Sequence, residues 1–154
     1  MCAKPPTGPA TDPVRGPDDP HTRAGCDSRR PWCPADVRIA VRRVVDRWCR
    51  EEGSPCDEDA LSDALLVASE LTTNAILHGG GVTEVDVDLE GRAVRVSVCD
   101  RSERLPVFTP SAGLREHRRT GGRGWPIVCL LSRDVRVTDL PAGGKRITAV
   151  VPVR

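Results

Sequence analysis

Tyrosine is absent from this chain, phenylalanine and methionine occur once each, and aromatics make up 3% of the residues. Any core must therefore be built from Val, Leu, Ile and Ala. With 154 residues the chain is long enough for one domain with a real core, and too short for two. Neither sign of charge is in excess: 23 Lys and Arg face 22 Asp and Glu, for a net charge of +1. That balance argues against a general nucleic-acid or membrane-surface binder. No apolar run reaches the length of a signal peptide or a membrane span, so a soluble, cytoplasmic chain is expected. Seven cysteines fall at positions 2, 26, 33, 49, 56, 99 and 129, with no C-x-x-C pair among them. The scatter argues against a disulfide framework or a zinc knuckle. Cys26/Cys33 and Cys49/Cys56 share a seven-residue offset, which we read as coincidence.

Proline and glycine are unevenly spread. Eight of the fourteen prolines lie in residues 1–34, among Gly, Thr, Asp and Arg and almost nothing apolar. Such a segment cannot bury enough surface to offset its ordering entropy, so a disordered tail is expected there and a folded unit over 35–154. In that unit Asp36 can cap a helix running to about Glu52. Val37, Val41, Val44, Val45 and Trp48 recur on one face of it. Arg38, Arg42, Arg43, Arg47 and Arg50 occupy its other faces, as a solvated surface or a contact for an acidic protein. Gly53-Ser54-Pro55 breaks the helix. Asp57 then caps a second one, with Leu61, Ala64, Leu65, Ala68, Leu71 and Ala75 on its buried side. Thr83 to Leu89 alternates apolar and polar residues, Gly91-Arg92 is a turn, and Val94, Val96 and Val98 alternate with Arg95 and Ser97. This reads as a hairpin with one face packed and one wet. Residues 101–120 are irregular, and a loop of that length in a compact domain is usually functional or mobile. An apolar helix over Ile127 to Leu131 follows, with Pro126 in its first turn. A last hairpin has Val135 and Val137 on one strand, turns at Ala142-Gly143-Gly144, and has Ile147, Ala149, Val151 and Val153 on the final strand. The order α-α-β-β-loop-α-β-β predicts an α/β fold, a two-layer α/β sandwich with helices on one face of a mainly antiparallel sheet.

One stretch carries chemistry. Ala68-Ser69-Glu70-Leu71-Thr72-Thr73-Asn74-Ala75-Ile76-Leu77-His78-Gly79 reads as the end of the second helix, with Gly79 to Gly81 as a left-handed stop. Glu70 and Asn74 are four residues apart, so on a helix they stack on one face about 5–6 Å apart at Cβ. Asn offers a neutral oxygen to a hard cation such as Mg²⁺. Glu can hold a nucleophile and take its proton. The same spacing also suits two polar side chains facing water. Farther on, the glycines of Gly121-Gly122-Arg123-Gly124 precede a helix start, where backbone N–H groups and the helix dipole favour an anion. Steric needs alone also place Gly-rich turns before helices. The spacings of a P-loop and of a dinucleotide fingerprint are missing.

Taken in order, Glu70-Leu71-x-x-Asn74-Ala75-x-x-His78-Gly79, then Asp100-x-Ser102, then Gly122-Arg123-Gly124 resemble the nucleotide-binding boxes of the GHKL ATPase superfamily (the Bergerat fold). The resemblance covers about residues 35–153 and is nearest to the stand-alone anti-sigma-factor serine kinases of bacteria. It implies an ATP-dependent protein serine/threonine kinase using ATP and Mg²⁺. Asn74 would hold the metal ion, Glu70 would act as base toward a serine hydroxyl, and Asp100 would accept a hydrogen bond from the adenine amine. Ser102, Gly122, Arg123 and Gly124 would complete the ATP site. The implied partners are an antagonist (anti-anti-sigma) protein and a sigma factor, with a homodimer as a possible assembly and no nucleic acid or membrane.

The chain departs from the family pattern at three places. Trp125 and Pro126 follow Gly-Arg-Gly where an aliphatic residue is usual. Lys145 stands where a Ser or Thr is common, with Thr148 three positions on. These departures support an alternative reading, a catalytically inactive, nucleotide-dependent protein-binding regulator.

Overall fold

The structure is a computed structural model and describes residues 31–106 and 124–154. Among them are three helices and four strands: α1 (Pro34–Glu52), α2 (Glu58–His78), β1 (Val82–Leu89), β2 (Ala93–Asp100), α3 (Gly124–Leu131), β3 (Asp134–Asp139) and β4 (Lys145–Pro152). The strands form one antiparallel sheet in the order β1-β2-β4-β3, with the helices packed on it. The two-layer α/β sandwich expected from the sequence is the fold.

Local chemistry explains the boundaries of the helices. α1 begins at Pro34, not after Asp36 as expected. Proline suits the first helical position, because it has no N–H to leave unpaired and its φ is already helical. Cys33 is thus the cap residue, and Asp36 sits one turn in. There its carboxylate accepts the Cys33 backbone N–H at 3.0 Å and the Cys33 thiol at 3.0 Å. At the other end Gly53 adopts φ 65°, with the Gly53 N–H bonded to Arg50 O and the Ser54 N–H to Cys49 O. This paired closure satisfies the last carbonyls of the helix. α2 starts as expected: the Asp57 carboxylate accepts the N–H groups of Asp59 and Ala60, each at 3.1 Å. Its buried side is Leu61, Ala64, Val67, Ala68, Leu71, Thr72 and Ala75. Leu65, expected in that set, is only half-buried, and Val67 takes its place.

The core lies between the helices and one face of the sheet. Val37, Val41 and Val45 of α1 and Leu61, Val67 and Leu71 of α2 meet Val85 and Val87 of β1, Val94, Val96 and Val98 of β2, and Ile147, Ala149 and Val151 of β4. Each fully buried Val or Leu of this kind contributes roughly 1.5–3 kcal/mol. The five arginines of α1 stay on its exposed faces, Arg38 reaching the Ser69 hydroxyl at 3.0 Å.

Two expectations are corrected. The outer face of β2 is not wet. Ser97 and Cys99 are buried there, because β2 is a central strand with neighbours on both sides. The Ser97 and Thr148 hydroxyls share a hydrogen bond of 2.8 Å, and Arg146 Nε donates to Cys99 Sγ at 3.2 Å. Burial raises the Cys99 pKa, with the Arg146 contact pulling weakly the other way. The same hydrogen bond to Cys99, followed by Coulombic support from Cys99, Glu84 and Asp86, outweighs burial and raises that of Arg146.

The second correction concerns cysteine. Cys49 and Cys56 form a disulfide with Cα atoms 5.5 Å apart. For Cys49 and Cys56 the spacing has a structural cause: the α1 closure at Gly53 turns the chain back, so that Cys56 meets the last turn of the helix it has just left; Cys26 of the other pair lies outside the described residues.

Candidate active site

The site is built where the end of α2 crosses the ends of β2 and β4. Period-two alternation puts Val94, Val96, Val98 and Asp100 on the helix-facing side of β2. The same parity puts Lys145, Ile147, Ala149 and Val151 on that side of β4. The strands pair with Asp100 directly opposite Lys145. A carboxylate and an ammonium are thus both carried into the core layer, Asp100 at 2% and Lys145 at 3% exposure. Buried charges need partners, and these two find each other. Lys145 Nζ lies 2.9 Å from both Asp100 Oδ1 and Asp100 Oδ2. It donates further to Ser102 O at 3.2 Å, while the Ser102 N–H donates to Asp100 Oδ1 at 2.9 Å.

Two glycines make room for this cluster. The Asp100 carboxyl lies flat against the α-carbon of Gly79, where a methyl group would overlap it. Gly79 has φ −100°, so it is not the left-handed stop expected of it; Gly80 and Gly81, at φ 75° and 104°, make the reversal. Gly79 is instead a point of close approach, fixed by the Arg101 N–H donating to Gly79 O at 2.9 Å. Gly144, at φ 84°, abuts the backbone carbonyl of Asp100 in the same way. A register shift between Val82 and Glu84 bends β1 where it leaves this corner.

The other pole of the site lies back along α2. Glu70 is half-buried, and its Oε2 rests against the α-carbon of Gly124, the first residue of α3. Trp125 packs on the core and Pro126 falls in the first turn, so the two departures at the start of α3 are compatible with a helix there. Asn74 is half-buried one turn beyond Glu70 on the same face. From Glu70 to Gly79 the helix advances about 13 Å at 1.5 Å per residue.

Of the residues singled out from the sequence, Asp100 and Ser102 are in contact, and Glu70 meets Gly124. Gly122, Arg123 and most of the 101–120 segment lie outside the described residues. Gly79 and Gly144 as points of close approach, and Lys145 as the ion-pair partner of Asp100, are additions from the structure. Strand parity was the signal for the last. A Lys in phase with Ile147, Ala149 and Val151 must point inward.

Comparison with known families agrees with this fold. No curated protein matches the chain. The pattern that defines the histidine kinase-like ATPase domain matches residues 32–151, from the start of α1 into β4. Among the described residues no helix is long and apolar enough to cross a membrane. With its two-layer fold and a match over most of its length, the chain belongs to the histidine kinase-like ATPase domain family, and ATP binding is the activity this membership supports.

Proposed function

We propose that the protein is an ATP-dependent protein serine/threonine kinase of the anti-sigma-factor type. On this reading it phosphorylates an antagonist protein and binds a sigma factor. The observation that carries the reading is the seating of Glu70. Its carboxylate is held against the α3 start, one turn from Asn74, where a proton acceptor and a metal-binding oxygen serve the same phosphate. Phosphoryl transfer needs mainly positioning and charge neutralisation. Glu70 accepts the proton of the serine hydroxyl as its oxygen bonds to the γ-phosphorus, and ADP departs with the electrons of the broken bond. Asn74 would hold Mg²⁺, which supplies charge neutralisation when bound. Among the described residues no group of three His, Cys, Asp or Glu side chains could hold a metal alone, so Asn74 would share the ion with the phosphates. Asp100, steadied by the Ser102 N–H, faces the adenine amine. Gly122 and Arg123, with Gly124, would line the phosphates.

In this reading the ATP-binding unit, expected over 35–154, begins slightly earlier, since Cys33 caps α1 and Trp32 packs on the core, and the protein works in the cytoplasm. The exposed arginine face of α1 suits an acidic protein surface. Glu70→Ala tests the central assignment. Transfer from labelled ATP to an antagonist protein should fall roughly 10²–10⁴-fold, as for loss of a general base, with ATP binding retained. Transfer at the parental rate would remove Glu70 from the chemistry. Titration with ATP, with and without magnesium, tests the metal.

A second reading, an inactive nucleotide-dependent regulator, has its own support in the Lys145–Asp100 ion pair, which no hydroxyl side chain at position 145 could make. ATP binding without transfer to any antagonist protein would favour it.

A further inference from the structure

The Asp100 carboxylate has little left to offer a ligand. An ammonium lies equidistant from its two oxygens, at 2.9 Å from each. On the ATP-binding reading an exocyclic amine needs the same two oxygens. The Ser102 N–H occupies Oδ1 from another direction, and Gly79 closes one face. An ammonium has three N–H groups, and Oδ1, Oδ2 and Ser102 O account for all three. Lys145 is itself 3% exposed, so water does not substitute for these bonds.

We infer that Lys145 is a specificity-determining residue, an internal competitor that holds the place of the purine amine on Asp100. The inference rests on the ATP-binding reading of the site. A nucleotide with a 6-amino group gains its hydrogen bond to Asp100 only as the lysine gives up part of its own. The site therefore takes ATP more weakly than the same site with a hydroxyl residue at position 145. The handicap is confined to the amine. A guanine nucleotide carries an O6 acceptor in place of the 6-amine, which suits the lysine and gains nothing from its removal.

The test compares the full-length parent with K145T and K145Q by titration with Mg-ATP and Mg-GTP, with circular dichroism and thermal melts to establish folding. A hydrogen bond to an unshared carboxylate is stronger than one to a carboxylate already neutralised. ATP affinity is expected to rise about tenfold in K145T and less in K145Q, which keeps a neutral donor, with no gain for GTP. If K145T does not fold, the smaller gain in K145Q decides. Equal ATP affinity in parent and folded variants overturns the competitor role and leaves ATP binding intact. A parallel gain for ATP and GTP overturns it too, because the lysine would then only be filling space. Weaker ATP binding would make Lys145 a ligand contact, against the inference. No nucleotide binding by any of the three proteins defeats the ATP-binding reading, and the inference with it.

Discussion

Gly124→Ala separates stability from chemistry at one atom. Gly124 opens α3 and is not among the glycines with positive φ, so an alanine fits its backbone. The added methyl would overlap Glu70 Oε2, the far end of a flexible, half-buried side chain, while the Glu70 Cβ stays 3.8 Å away. Glu70 can yield by leaving its rotamer, at about 0.5–1.5 kcal/mol. Replacing glycine by alanine in a helix returns up to about 1 kcal/mol. The two nearly cancel, so the unfolding free energy should stay within about 1 kcal/mol of the parent, a few degrees in Tm. Transfer is another matter. On the proposed reading Glu70 is the base, and displacing such a group by an ångström costs on the order of 10²-fold, so kcat should fall by that order while ATP affinity holds. The assays are a urea melt, ATP titration and transfer to an antagonist protein. A double-mutant cycle with Glu70→Ala closes the argument, since Gly124→Ala should cost nothing further once the carboxylate is gone. A parental transfer rate in Gly124→Ala would refute the reasoning. So would a loss that persists in the Glu70→Ala background.

Gly144→Ala should behave in the opposite way. Its methyl would meet the backbone oxygen of Asp100 from a φ of 84°, so the backbone itself must shift, and a loss of about 2 kcal/mol or more is expected in a urea melt. Reducing the Cys49–Cys56 bridge, which spans a sequence separation of 7, should cost about 2–3 kcal/mol by the chain-entropy account. A Tm unchanged by reductant would contradict it. Burial holds the Cys99 thiol above the ordinary value of 9.0. The folded chain therefore keeps this proton at a pH where the unfolded chain has lost it, so this contribution is complete below pH 9.0 and declines as pH rises toward the folded value. A urea-midpoint profile from pH 7 to about 10.5 should slope downward above 9.0 and flatten in Cys99→Ser.

The parts of the molecule legible in the sequence are those set by short-range rules. The Asp57 cap, the break at Gly53, the two hairpins and the helix with Glu70 and Asn74 each follow from residues within a turn or two of one another. The errors lie where two segments must first be placed in space. Asp36 looks like a cap until Pro34 claims the first helical position. Ser97 and Cys99 look solvent-facing until β2 is known to be an inner strand, which depends on β4 pairing beside it. Cys49 and Cys56 look unrelated until the reversal at Gly53 brings their α-carbons within 5.5 Å.

Asp100 and Lys145 lie between these two cases. Alternation along each strand already turns both residues inward, and a carboxylate and an ammonium in one apolar layer demand each other, since either alone costs about 3–5 kcal/mol when its partner is removed. What alternation does not supply is register. The two residues are 45 apart in sequence, and they meet only because β4 pairs with β2 in the one alignment that sets residue 145 opposite residue 100. A slip of one residue would turn the inward set of β4 outward and leave Asp100 facing no cation. The ion pair between Asp100 and Lys145 is therefore also a check on the sheet. Asp100→Ala should cost stability by stranding Lys145, and Asp100→Ala with Lys145→Met should recover much of that loss while abolishing any preference for ATP over GTP. Failure of the double variant to regain stability would show that the pairing of β2 with β4 depends on the charges themselves.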